Sequence, residues 1–146
     1  MSHFLVTFWA FFRWSLDFLF IPPLVYGTLL LGLNFVGSVF LQRPFSKPLW
    51  RTNYSIAVLQ FWFFPATLAI AVLGRVDSQG VHLPGPNKLG LGAEYVIAIG
   101  SVIIGGYWVW MMKGLRWFAL SLAMLQLWLL VVANLIAEMS LTGNWL

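Results

Sequence analysis

The sequence predicts an all-α integral membrane protein, a four-helix transmembrane bundle with an additional N-terminal helix that is interfacial or bent onto the first span. Three observations carry this. Hydrophobic residues make up 61% of the 146 residues and charged residues 8%, against about 25% charged in a soluble domain. So few charges could not cover the surface of a water-soluble fold of this size. Apolar stretches at about 24–41, 56–74, 94–112 and 117–139 are each long enough to cross a bilayer as a helix. The last of them has two unlike sides. Ala119, Ala123, Gln126, Leu130, Ala133 and Ala137 recur at helical spacing, while Leu120, Leu127, Trp128, Val131 and Leu135 lie opposite. A membrane helix that is small on one side and bulky on the other has a packing side and a lipid side. The length suits a single membrane domain, 1–146.

Residues 1–21 are rich in aromatics, and Arg13 and Asp17 sit one helical turn apart, in reach of a pair. Three placements are open: a helix on the membrane surface, an extension of the first span bent at Pro22-Pro23, or a separate span. The third is disfavoured because each mid-membrane charge costs about 2.5–3.5 kcal/mol on insertion scales. Neither a basic start nor a small-residue cleavage site argues for a signal peptide.

The first span places Gly27, Asn34 and Ser38 close to one face, with Gly37 beside them. The loop 42–55 is polar and interrupted by Pro44 and Pro48. The second span holds Pro65 at its middle, where membrane helices tolerate a kink, and Gln60 and Thr67 share a face. Residues 75–93 read as a turn-rich loop with His82 and Asp77 in it. The third span carries the small pair Ser101 and Gly105, flanked by Gly100 and Gly106, and ends in Tyr107, Trp108 and Trp110, read as an aromatic belt. The turn 113–116 is so short that the third and fourth spans must form an antiparallel hairpin.

Four spans bring both termini to one side. Arg43, Lys47, Arg51, Lys113 and Arg116 then share the other side, and all the acids lie opposite. The positive-inside rule predicts a multi-pass protein of a prokaryotic cytoplasmic membrane, with loops 42–55 and 113–116 cytoplasmic and both termini outside.

Asn34, Gln60, Thr67, Ser101, Gln126 and Asn134 form an intramembrane polar set drawn from every span. Such a set either lines a path between helices or makes interhelical hydrogen bonds, worth about 0.6 kcal/mol each on average. All are neutral, and the expected role is structural. Glu94 and Glu138 are expected at outer helix ends, where they could join Asp77 and His82 as ionisable groups at the surface. Ser101, Gly105, Ala119, Ala123, Ala133 and Ala137 are the expected packing positions.

No catalytic motif and no metal-ligand spacing is present, and the chain has no cysteine. No cofactor is predicted. Nine tryptophans and thirteen phenylalanines would suit contact with haem, quinone or pigment, but aromatic belts and lipid-facing bulk account for them. Phe63-Phe64-Pro65, Leu73-Gly74 and Ile99-Gly100-Ser101 resemble the penultimate and last helices of haem-copper oxidase catalytic subunits, where a Phe-Phe-Pro helix leads through an outer loop to an Ile-Gly-Ser helix. The departures are serious. The first span has no histidine to ligate haem and none follows Pro65 within the second, so no functional residue is carried over.

The expected partners are the lipid bilayer and other transmembrane subunits or further copies, not nucleic acid. The function expected on these grounds is that of a non-catalytic subunit of a larger, energy-transducing membrane complex. A small oligomeric transporter or channel is the main alternative. An enzyme acting on lipid or quinone through the outer-surface acids is the third.

Overall fold

The computed structural model describes residues 2–44, 49–74 and 87–142. These form five helices and no strand: α1 (Ser2–Leu19), α2 (Pro22–Gln42), α3 (Leu49–Leu73), α4 (Lys88–Met111) and α5 (Arg116–Thr142). Four of them, α2 to α5, are long and apolar enough to cross a membrane. The helix α1 is not among those four.

At the centre is α5, which packs against each of the other helices. Half of its length is buried, far more than any other span. Its small-residue stripe is the reason. Ala119, Ala123, Gln126, Leu130, Ala133 and Ala137 are all buried, while Leu120, Val131 and Leu135 on the other side are exposed. Lipid tails are as apolar as leucine, so burial of grease does not drive helices together in a bilayer. Close van der Waals contact does, and alanine permits it.

Two clusters mark the ends of the bundle. Ala57, Trp108, Met112, Leu115, Phe118, Ala119 and Leu122 form one, with Phe35 and Val39 against it. Phe118 lies tilted against Phe35 and edge-on to Trp108, at centroid distances of 5.7 and 6.5 Å. Here the Gln42 side chain accepts a 2.9 Å bond from the Phe118 backbone N–H, tying the end of α2 to the start of α5. Arg43, Lys113 and Arg116 therefore lie at the same end, called here the basic end. Arg43 closes α2 in the left-handed region, and Gly114 turns the α4–α5 hairpin at φ 87°. The hairpin is as tight as its length requires. Trp108, expected in an interfacial belt, is instead fully buried, because it projects towards α5 while Tyr107 and Trp110 project outwards.

The other cluster joins Phe11 of α1 to Leu68, Ala71, Ala133, Ile136 and Ala137, with Phe8, Phe12 and Phe18 packed around it. All these aromatics of α1 enter one cluster at the far end, and Phe12 meets the edge of the Phe64 ring at 5.9 Å. So α1 is docked on α3 and α5. It is not a continuation of α2: Ile21 is extended, and Pro22 and Pro23 open a fresh helix. Arg13 and Asp17 are both exposed.

The far end is closed by Asn87. Its side-chain oxygen accepts from Gly90 N–H, capping α4. Its Nδ2 donates to the carbonyl of Gly74, just past the end of α3, and its backbone N–H donates to the Leu141 carbonyl of α5. Leu141 sits so close that a Cβ at Gly74 or Gly90 would fall 2.5 or 2.6 Å from its Cδ2. This corrects the reading of 88–93 as loop. Gly90 and Gly92 look like turn residues, but Gly90 is there to admit Leu141. The capped α4 starts at Lys88, so Glu94 lies well inside the helix and not at its N-terminus.

If the alanine stripe sets the spacing of the bundle, overpacking it must cost stability. Ala133→Leu is expected to lower the unfolding free energy in detergent by about 1–3 kcal/mol. Leu135→Ala, on the exposed side, should stay within about 0.5 kcal/mol of the parent. Reversible denaturant titration followed by tryptophan fluorescence measures both.

Candidate functional site

Four of the six intramembrane polar residues bond within the bundle, and two of these four bond across helices. The hydroxyls close onto their own helices: Thr67 donates to Phe63 O at 3.0 Å and Ser101 to Ala98 O at 2.8 Å. Ser15, Thr28 and Ser121 do the same one turn back. The amides reach across. Gln60 of α3 donates to the Ser101 carbonyl of α4, and Gln126 of α5 donates to the Ala57 carbonyl of α3, both at 3.3 Å. Ser140 ties α5 to the Ala71 carbonyl of α3 at 2.8 Å. Sequence reading passed over Ser140, which lies beyond the apolar run; its place one turn past Ala137 on the small-residue stripe was the available signal.

Gly105 makes room for the first of these bonds. A Cβ at this position would lie 2.6 Å from Gln60 Nε2 and 3.8 Å from the Ala123 methyl. Three helices thus meet at Gln60, Gly105 and Ala123. Ser101 and Gly105 are buried, while Gly100 and Gly106 face open space. On the opposite flank of α5, Trp128 lies against Gly27 and donates to the Thr28 hydroxyl at 3.0 Å.

Two members of the set are used differently. Asn34 is exposed, away from the position between helices that membership of the polar set implies. Among the spans, α2 packs chiefly on α5, so only a narrow strip through Thr28, Phe35 and Ser38 is covered. Asn34 falls just outside that strip. It lies in an outward row with Leu30, Gly37 and Leu41, and Gly37 has nothing around the place a Cβ would occupy.

Asn134 faces another place. With Glu138, one turn further along α5, and with Leu91, Glu94, Tyr95 and Ala98 of α4, it lines a cavity of about 110 Å³. Glu94 is only 6% exposed, and its Oε1 has no hydrogen-bond partner. The Asn134 Oδ1 is also buried and unpartnered. Glu138 is exposed at the cavity mouth. The structure therefore joins three residues that the sequence placed in two separate groups. The other outer-surface candidates, Asp77 and His82, lie outside the described residues. No group of three or more histidine, cysteine, aspartate or glutamate side chains occurs among the described residues.

No family model, curated protein or solved structure matches the chain. The site must be read from its own chemistry. The Gln60 junction has the marks of a structural joint, since its amide is engaged with backbone on another helix. The Gln60 Oε1, like that of Gln126 and like the Trp108 indole N–H, is buried without a partner, as are Glu94 Oε1 and Asn134 Oδ1 in the cavity; Asn34 stands exposed on the outer side of α2.

The joint can be tested by its coupling. Gly105→Ala should destabilise the parent by displacing the Gln60 amide, and should cost much less in a Gln60→Ala background. A coupling of about 0.5–3 kcal/mol is expected in a double-mutant cycle measured by denaturant titration in detergent. Additive effects would mean that Gly105 and the Gln60 side chain do not compete for the same space.

Proposed function

We propose that the chain is a non-catalytic subunit of a larger integral-membrane complex and that it docks on a transmembrane helix of another subunit through the outward face of α2. The observation that carries this is Asn34. It stands near the middle of a helix long enough to span, on a side that no other helix covers among the described residues. A carboxamide moved from water to an apolar environment without a hydrogen bond costs about 2–7 kcal/mol, depending on the reference. A helix that supplies the missing bond removes that cost. The geometry of the row supports the same reading. Leu30, Asn34, Gly37 and Leu41 follow a heptad-like spacing, and a single asparagine in such a seam selects register and partner. Gly37 leaves room for a close crossing.

The engaged Gln60 and Gln126 amides favour this reading over a transport path between the helices, because they bind the bundle together. In this proposal the basic end faces the cytoplasm, in keeping with the positive-inside rule.

Extraction from native membranes in a mild detergent, followed by native mass spectrometry, tests the proposal. A hetero-complex is expected. Asn34→Leu should lower recovery of the partner roughly three- to thirtyfold, the range of about 0.6–2 kcal/mol for interhelical hydrogen bonds, while the bundle itself keeps its melting temperature. A stable monomer would remove the proposal, and a homo-oligomer lost in Asn34→Leu would replace the partner with a second copy.

A further inference from the structure

The cavity between α4 and α5 is not used by the docking face of α2. Its described lining residues all come from α4 and α5. Its polar lining comprises the Glu94 and Glu138 carboxyl groups, the Asn134 amide and the Tyr95 hydroxyl. An ionised carboxylate only accepts, and the amide oxygen of Asn134 only accepts. Two of these oxygens, Glu94 Oε1 and Asn134 Oδ1, are buried with no donor. Beyond the pairing of two acids, Glu94 is only 6% exposed, lines the space and leaves its Oε1 without a partner there. Lys88, the basic residue at the start of α4, is exposed and is not among the residues that line the cavity.

Two buried acceptor oxygens without a hydrogen-bond partner, Glu94 Oε1 and Asn134 Oδ1, beside a second carboxylate at the surface, are complemented by a cation. The kind of cation follows from the donors. Every donor is oxygen, which selects hard ions over those that prefer nitrogen or sulfur. Two carboxylates carry two negative charges, matched by one divalent ion. The three side chains can present up to five oxygens if both carboxylates bind through both atoms, and the cavity of about 110 Å³ has space for an ion with a few waters at roughly 30 Å³ each. Ca²⁺ takes six to eight oxygens in flexible geometry, whereas Mg²⁺ demands a near-ideal octahedron. Side chains on two different helices suit the first better.

We infer that Glu94, Asn134 and Glu138 form a Ca²⁺ site between α4 and α5 at the far end of the bundle. Binding there clamps the open end of the hairpin, opposite the turn at Gly114. Glu94 is the buried ligand, Glu138 the gatekeeping ligand at the mouth, and Asn134 the neutral third donor one turn from Glu138.

The test uses the full chain, purified in a non-ionic detergent after chelation. Ca²⁺ should raise the melting temperature in a saturable manner, beyond K⁺ at matched ionic strength. Tb³⁺, a luminescent substitute for Ca²⁺, should bind and be displaced by Ca²⁺. Glu94→Gln and Glu138→Gln should each weaken Tb³⁺ binding at least tenfold, and Asn134→Leu several-fold. Glu138→Gln changes an exposed side chain and keeps the test open if Glu94→Gln fails to fold. A Ca²⁺ response no larger than that of K⁺ would overturn the inference. So would Tb³⁺ binding that survives Glu138→Gln, and a saturable response to Na⁺ alone would overturn the divalent assignment. None of these readouts depends on the partner subunit, so the site and the docking proposal fail separately.

Discussion

The close approach of helices to the alanine stripe of α5 is the constraint on which the remainder of this bundle rests. In lipid the only routes to a defined helix arrangement are tight packing and hydrogen bonds between helices. The stripe supplies the first over most of the helix, from Ala119 at the basic end to Ala137 at the far end. Its consequences spread outwards. Because Ala133 and Ala137 are small, Leu68 and Ala71 of α3 and Phe11 of α1 can share one cluster with them. Because Ala123 is small, Gly105 and Gln60 can meet beside it.

Polar groups divide by reach. A serine or threonine hydroxyl is short enough to return to a carbonyl of its own helix, which satisfies it and commits nothing to the fold. Thr67 and Ser101 do this. Glutamine is long enough to cross, so Gln60 and Gln126 bind neighbouring backbones and set helix pairs in register. Ser140 crosses only because its helix is already pressed against α3 at Ala137. The order of causes is therefore packing first and cross-helix bonds second.

This order also explains what could be read from the chain. The number of spans, the two sides of α5 and the hairpin at 113–116 follow from periodicity and length, which are local properties. The orientation of Asn34 is not local. Its place on α2 puts it near Gly27 and Ser38 in angle, but how wide a face is buried depends on how many helices gather there. Around α2 that is chiefly α5, and the covered strip is narrow. The start of α4 was hidden for a similar reason. Glycines at 90 and 92 resemble loop residues until Leu141, fifty residues on, is seen to occupy the space at Gly90. The joining of Glu94 with Asn134 and Glu138 follows from that earlier start. An acid at the first residue of a helix is accounted for by the helix dipole. An acid well inside the helix, facing α5, is not.

The outward row of α2 and the acidic cavity lie on different flanks of the bundle. The outward row of α2 looks away from α5, while the acidic cavity lies where α5 meets α4. A helix seated on Asn34 would leave the mouth at Glu138 open. Both flanks nevertheless act on the same central helix. Trp128 holds α2 on one side of α5, and Asn134 and Glu138 line the other side less than three turns away. A load on either flank is thus borne by α5, whose alanine contacts allow little sliding. Coupling between partner and ion would then pass through a rigid helix, and its strength would be set by how closely the alanine stripe holds α5 in place.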